Sequence, residues 1–336
     1  MARCKLSIEI LDPKEVYTVG DELRVAVHVD VDKETRCDAL TLGRIWRTHG
    51  SGNVAKGKDD GKQVLFDGVW EPGEYTYEAT VVLDHYPVSY HGTHVNVDWY
   101  LLARADVPWA IDPKAEQVVF LRAPPAAPQA EVPQREDYED IPISKRGCCL
   151  FAALVPWVLI IPTVSFHRIG PVGWVVTTVL ALLSLVPVAV FLLRRQVLKR
   201  LGAVEFGVVP RRVPPGGNFQ LGIRLTPTKD LLLNGITVTL TCQESATSGS
   251  GSNRTTYTQE VLEEVLTVVE DHRIAAGETW TGTLPLPIPA DAPATFKAVD
   301  NEIEWEIEIH LDIPGCPDLK VPHVITVLHP GQEEPT

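Results

Sequence analysis

Apolar and polar residues alternate with a period of two along most of this chain. Segment 20–29 places an aliphatic residue at every second position from Leu23 onward, and segment 216–225 repeats this phase from Phe219 onward. A period of two predicts half-buried strands, in which successive side chains point to opposite faces of a sheet. A helical period is almost absent from both halves. The pattern therefore predicts an all-β fold on either side of a central stretch.

The clearest alternation lies near the end of each half, where segment 97–108 matches segment 303–314. A slip of one residue in the second copy would bury its glutamates, so the register is strongly specified. Trp99 and Trp305 mark the cores of two antiparallel β-sandwich domains, each of roughly seven strands. In the second copy, the predicted inner face consists of Ile303, Trp305, Ile307, Ile309, Leu311 and Ile313, and the predicted outer face consists of Glu302, Glu304, Glu306, Glu308, His310 and Asp312.

Two central segments, 147–166 and 172–193, contain no acidic or basic side chain. Each is about as long as a helix that crosses a hydrocarbon core roughly 30 Å thick. Basic residues flank the pair at 145–146 and 194–200, and basic flanks collect on the cytoplasmic side of a membrane. The sequence thus predicts a transmembrane helical hairpin and an integral membrane protein with both flanking domains on the cytoplasmic side.

These patterns divide the chain into four parts. The predicted parts are an N-terminal β-sandwich at 1–125, a flexible linker rich in acid and proline at 126–146, the transmembrane hairpin at 147–193 and a C-terminal β-sandwich at 202–330.

A series of short motifs occurs in the same order in each half. In the first half, a Gly-x-x-aliphatic strand is followed by a Pro-Gly turn at 72–73, a Pro-Val-Ser-Tyr-His-Gly segment at 87–92, and a long strand that ends near Asp106. This order resembles the arrestin fold, and the resemblance covers roughly residues 5–122 and 202–329. It implies a protein similar to the α-arrestin trafficking adaptors and the bacterial sporulation-control proteins, which are binding proteins and not enzymes. A membrane hairpin between the lobes departs from that family, and the Pro-Pro-x-Tyr motif of the α-arrestins is missing from the sequence.

The net charge limits the choice of partner. With 44 acidic against 30 basic residues, the formal charge is −14. A surface that follows nucleic-acid phosphates needs clustered positive charge, so the composition argues against nucleic acid. The six cysteines lack the spacing of a disulfide framework or a zinc site, which favours reduced thiols. We therefore expect a protein partner. The predicted membrane hairpin makes a membrane protein one candidate.

Three histidines, His85, His91 and His94, lie close together and form the candidate site for a transition metal. The sequence nevertheless favours ordinary hydrogen bonds and predicts no metal, because a structural zinc site requires four ligands and no cysteine pair is near. No catalytic motif stands out, and the sequence predicts neither a catalytic residue nor a cofactor. The glycine-rich segment 50–62 lacks the ending of a phosphate-binding loop and is interpreted as a mobile hairpin loop.

The leading hypothesis is a non-catalytic, membrane-anchored, arrestin-like adaptor or scaffold that binds proteins through sheet edges and faces. The outer glutamates of segment 302–308 then either meet a basic partner or the other lobe, or simply keep the sheet face solvated. The alternative hypothesis is a membrane-bound, metal-dependent enzyme or a ligand sensor that uses the histidine-rich loop.

Overall fold

The structure is a computed structural model that describes residues 4–58, 60–84, 86–109, 111–124, 138–140, 201–314 and 319–332. The described chain is built almost entirely of β-strands, with one 3₁₀ turn at Gly251–Asn253. The all-β prediction is confirmed.

The first half of the chain forms the N-terminal lobe, in which two sheets pack over one apolar core. Its strands are β1 (Cys4–Ile10), β2 (Tyr17–Thr18), β3 (Glu22–Val31), β4 (Thr35–Gly50), β5 (Asp60–Trp70), β6 (Gly73–Val82), β7 (Tyr90–His91), β8 (Val95–Asp106), β9 (Lys114–Val119) and β10 (Leu121–Arg122). One sheet has the order β1-β3-β6, and the other has the order β5-β4-β8, with β7 and β9 pairing with successive parts of β8. Strand β10 pairs in parallel with β2. The core residues come from both sheets, so this lobe is a β-sandwich.

The second half forms the C-terminal lobe with the same plan. Its strands are β11 (Glu139–Asp140), β12 (Ala203–Val209), β13 (Arg212–Val213), β14 (Asn218–Thr226), β15 (Leu231–Ser248), β16 (Thr255–Ile274), β17 (Trp280–Pro287), β18 (Phe296–Ala298), β19 (Asn301–Asp312) and β20 (Leu319–Val327). One sheet has the order β11-β12-β14-β17, and the other has the order β13-β20-β19-β15-β16, with β18 on β19. Strand β13 pairs in parallel with β20, as β2 does with β10.

The two lobes repeat each other down to single hydrogen bonds. The indole N–H of Trp99 donates to the carbonyl of Pro87 at 2.6 Å, and that of Trp305 donates to the carbonyl of Pro293 at 2.9 Å; each acceptor lies 12 residues earlier in the chain. Trp99 is 4% exposed and Trp305 is fully buried, each in the core of its own lobe.

A second repeated pair joins the proline-led segment to the end of each lobe. Ser89 and Leu121 exchange two hydrogen bonds, from the Ser89 N–H to the Leu121 carbonyl and from the Leu121 N–H to the Ser89 hydroxyl. Thr295 and Val327 exchange the same two bonds, again over a separation of 32 residues. The internal repeat seen in the sequence therefore extends to the hydrogen bonds that join these segments in each lobe.

Strand β19 has the two faces that its alternation predicts. The six inner residues, from Ile303 to Ile313, are at most 6% exposed, whereas the outer residues are half-buried or exposed. The predicted register of this strand is confirmed.

Part of the predicted linker is ordered against the C-terminal lobe. Strand β11 pairs antiparallel with β12. The ring of Tyr138 lies over Gly222, and the Arg224 guanidinium is 4.1 Å from its centroid. Because residue 222 has no side chain, its backbone leaves the space that the Tyr138 ring fills.

The predicted transmembrane hairpin, at 147–166 and 172–193, lies outside the described residues. No helix in the described ranges is long and apolar enough to cross a membrane. The physical reason is that these ranges form strands in which apolar residues occupy alternate positions and pack into the two cores. On this finding, the predicted localisation as an integral membrane protein with cytoplasmic domains is wrong, and we do not retain it.

Candidate functional site

The two lobes meet along a surface that we call the lobe seam, formed by β7, the start of β8 and the 50–58 loop of the N-terminal lobe against β15, β18 and β19 of the C-terminal lobe. Val95 and Val97 of β8 are fully or almost fully buried and belong to the core cluster of the C-terminal lobe. The ring of Trp46 packs edge-on against Phe296 with centroids 5.6 Å apart. Apolar packing therefore joins the lobes directly.

A buried carboxylate lies at the centre of the lobe seam. Glu244 of β15 is only 1% exposed, although it belongs to a residue type that is rarely buried without partners. Its carboxylate accepts hydrogen bonds from the Tyr90 hydroxyl at 2.5 Å and from the backbone N–H groups of Thr93, His94 and Val95 at 3.3, 2.7 and 3.1 Å. These four neutral donors supply the bonds that a buried carboxylate needs.

Two features keep the donors in place around Glu244. Burial, and then the hydrogen bond to Glu244, raise the pKa of Tyr90, so its phenol stays protonated and donates. A Cβ atom at Gly92 would lie 1.8 Å from one carboxylate oxygen of Glu244, so any side chain there would expel the carboxylate. The glycine at this position allows the backbone to approach the carboxylate closely.

The loop at residues 50–58 forms the second polar contact of the lobe seam. The Asn53 N–H donates to the Thr247 carbonyl at 2.8 Å. The Asn53 side chain donates to the Gly249 carbonyl at 2.9 Å and to the Asp300 carboxylate at 2.8 Å, and it accepts from the Gly249 N–H at 3.2 Å. Every one of these bonds joins the loop to the C-terminal lobe. The interpretation of this segment as a mobile loop did not include that partner.

The segment that follows β20 makes a third contact between the lobes, beside the lobe seam. The Tyr86 hydroxyl donates to the Pro330 carbonyl at 2.7 Å, and the rings of Tyr86 and His329 stack with centroids 5.9 Å apart. Burial lowers the pKa of His329 from 6.5 to about 4, because the charged imidazolium loses hydration there. The folded state therefore holds His329 in its neutral form.

This shift predicts acid weakening of the fold. Above about pH 6.5 both the folded and the unfolded chain keep His329 neutral; as the pH falls toward 4, only the unfolded chain takes up the proton. Stability is thus present above pH 6.5 and is lost as the pH falls toward 4. His329→Phe keeps an aromatic ring beside Tyr86 but cannot titrate, so its denaturant midpoint should fall less than that of the wild type between pH 6.5 and 4. Parallel pH profiles for the two proteins would contradict the assignment.

Two of the three candidate metal ligands, His91 and His94, have different partners in the structure. His91 Nε2 is 2.8 Å from the Asp98 carboxylate, whereas His94 lies on the other side of the loop, 2.9 Å from the Ser51 hydroxyl and beside the ring of Tyr257. His85 lies outside the described residues. Within the described ranges, no group of three or more His, Cys, Asp or Glu residues is placed to hold a metal ion. The sequence prediction that His85, His91 and His94 bind no metal stays untested.

A second histidine contacts Asp98, and no sequence pattern predicted it. His49 of β4 lies 3.1 Å from the other oxygen of that carboxylate, which is 12% exposed, and its Nε2 is also 2.9 Å from the Tyr100 hydroxyl. The two imidazoles therefore contact different oxygens of one carboxylate. The period-two pattern places Asp98 and Tyr100 on one face of β8, but His49 reaches them from another strand, through the β4–β8 register.

The outer face of the C-terminal lobe carries a second candidate surface, the acidic face, formed by the outward glutamates of β19 and the neighbouring Glu260 and Glu263 of β16. These glutamates lie in register across three strands. On the central strand β15, Gln243 pairs with Glu304 and Glu260, and Thr241 pairs with Glu306 and Glu263. Lys297 pairs with Glu302 at 3.4 Å, and Lys320 pairs with Glu308 at 2.6 Å. Burial, together with Glu304 and Glu308, raises the pKa of Glu306, because like charges disfavour its ionised form.

Comparisons with known proteins find similarity to solved structures. No protein-family model and no curated protein matches it. It is similar to the crystal structure of Spo0M, a sporulation control protein from Bacillus subtilis, at 18% identity and a TM-score of 0.29. The match covers 37% of this chain and 48% of that chain, so it spans about half the length of Spo0M. A likeness at this level carries no argument about the site.

Proposed function

We propose that this chain is a non-catalytic, arrestin-like adaptor or scaffold that binds a basic surface of a protein partner on the acidic face of its C-terminal lobe. The arrestin-like order of motifs in the sequence supports a binding protein. The row of Glu304, Glu306 and Glu308 on one face of β19 carries the choice of surface, and burial, followed by the charges of Glu304 and Glu308, raises the pKa of Glu306 within it.

The acidic face favours a basic partner for an electrostatic reason. Gathering Glu304, Glu306 and Glu308 on one side of β19 costs free energy in the isolated protein, and opposite charges brought by a partner would offset that cost. A need for solvation explains why a row of glutamates is exposed. It does not explain why Glu306 lies where its ionised form is disfavoured. The lobe seam supports the proposal as well, because it fixes the acidic face relative to the N-terminal lobe.

The test compares two pairs of neutralised glutamates in the full-length chain. In Glu304→Gln/Glu306→Gln, two charges of the acidic face are removed; in Glu71→Gln/Glu74→Gln, two exposed charges of the N-terminal lobe are removed. A photo-crosslinking residue at Gln243, which pairs with Glu304 on the neighbouring strand, should capture a basic protein from the native cell. We expect the first variant to lose at least about tenfold of this product and the second to keep it, since each charged contact is worth roughly 1 kcal/mol or more when partly desolvated.

Two controls separate binding from folding. Glu306→Gln should leave the melting temperature unchanged or raise it, because it removes like-charge repulsion. Raising the salt concentration should reduce capture by the wild type, since salt screens exposed charges. Equal capture by both glutamine variants, or capture that is indifferent to salt, would contradict the proposed surface.

A further inference from the structure

Strand β7 and the loop between β7 and β8 surround the Glu244 carboxylate with hydrogen-bond donors. The donors are the Tyr90 hydroxyl and the N–H groups of Thr93, His94 and Val95, and all of them belong to the N-terminal lobe. The C-terminal lobe supplies the carboxylate. The site and its occupant thus come from different lobes, so the occupant leaves whenever the lobes separate.

The N-terminal lobe builds this loop through bonds of its own. The Gly92 N–H donates to the Val95 carbonyl at 3.0 Å, and β7 pairs with β8 through Tyr90 and His91. The His91 imidazole is also tied to the Asp98 carboxylate. Since none of these bonds involves Glu244, we expect the donors to keep their positions when its carboxylate is removed.

The arrangement of the donors selects a carboxylate. One oxygen of Glu244 accepts from Tyr90 and Thr93, and the other accepts from His94 and Val95. Two donors for each of two oxygens match a planar carboxylate. A phosphate has further oxygens and more negative charge, and the four neutral donors provide no cation to balance them.

We infer that the loop at residues 90–95 is a carboxylate-binding site and that Glu244 is its resident ligand. A carboxylate that takes the place of Glu244, from a small molecule or from an acidic side chain of another protein, removes the polar contact at the centre of the lobe seam. Closure of the lobes is then linked to that ligand by mass action. This inference is independent of the acidic face and of the proposed adaptor function.

Glu244→Ala in the full-length chain tests the site by chemical rescue. The variant vacates the site, so sodium acetate should raise its melting temperature saturably, by roughly 2–4 °C, whereas sodium chloride at the same ionic strength should not. Hydrogen exchange gives the matching local readout: the amides of Thr93, His94 and Val95 should lose protection in the variant and regain it with acetate. Wild type should not respond, because its own Glu244 acts at a high effective concentration.

A blocked variant and two ligand sources complete the test. Gly92→Ala/Glu244→Ala places a methyl group where the carboxylate oxygen lies, so acetate should neither stabilise it nor restore protection. An acetylated, amidated tetraglutamate peptide then replaces acetate: stronger rescue by the peptide indicates an acidic protein side chain, and rescue by acetate alone indicates a small carboxylate.

The inference is overturned if acetate gives no saturable rescue, if chloride or phosphate rescues equally, or if the blocked variant responds like Glu244→Ala. Should Glu244→Ala not fold, Glu244→Ser replaces it in the same comparison. Its hydroxyl carries no charge and ends short of the carboxylate position, so the donors should lose protection and regain it with acetate, and failure to do so counts against the site.

Discussion

Replacing Trp305 by alanine is expected to lower the free energy of unfolding of the C-terminal lobe by about 3–5 kcal/mol. The side chain is fully buried on the inner face of β19, within a core drawn from both sheets of the lobe. Its indole N–H also donates to the Pro293 carbonyl, so truncation leaves both a cavity and an acceptor without its donor. Chemical denaturation monitored at residues of each lobe measures the loss and where it occurs.

The chain provides a matched control in Trp109. This residue is fully exposed, so Trp109→Ala should change stability by no more than about 0.5 kcal/mol. Trp99→Ala should act first on the N-terminal lobe, where that indole is buried. If the Trp305 and Trp109 variants lost equal stability, or if Trp305→Ala unfolded the N-terminal lobe first, the assignment of Trp305 to the core of its own lobe would be wrong.

Gly92→Ala is expected to destabilise the lobe seam by about 3 kcal/mol or more. The added methyl group would lie 1.8 Å from a carboxylate oxygen of Glu244, so the carboxylate must leave four donors or the loop must move. Either change leaves a buried charge poorly paired, and breaking such a pairing typically costs about 3–5 kcal/mol. Thermal unfolding measures the total effect, and hydrogen exchange at residues 93–95 shows whether it is local.

A double-mutant cycle separates the clash from any general intolerance of residue 92. Glu244→Ala removes the carboxylate oxygen 1.8 Å from the Gly92→Ala methyl group and leaves the Tyr90 hydroxyl oxygen 2.7 Å from it, so the second substitution should cost less than it does in the wild type. Additive effects of the two substitutions would show that the methyl group disturbs something other than Glu244.

The alternation of the long strands predicts much of each sandwich, because one apolar face leaves one register for the strand. Strand β19 illustrates this, since its inner and outer residues follow from the sequence alone. The same alternation does not show which strand lies beside which, so it could not place His49 next to Asp98.

Contacts between the lobes were harder to predict than contacts within them. Glu244 did leave a signal: it occupies the inner phase of β15, between Cys242 and Ala246, where an apolar residue is expected. A glutamate at an inward position indicates either that its carboxylate has a hydrogen-bonding partner or that the register of the strand is shifted. The sequence alone does not distinguish these two cases. Three of the four donors to Glu244 are backbone N–H groups, which no residue type identifies. Asn53 likewise lies in a polar, glycine-rich segment typical of an exposed loop, and its bonds become visible only when the second lobe is present.

The repeated indole bonds restrict where either half of the gene tolerates insertions and deletions. The Pro87–Trp99 and Pro293–Trp305 bonds each span 12 residues, and one codon more or less within that interval would turn the tryptophan toward the wrong face or move it away from its carbonyl. Outside these intervals, the hairpin tip around Gly251–Asn253 is exposed and carries no such bond to an indole. Divergence in length between related chains should therefore accumulate at that tip, while both 12-residue intervals stay fixed.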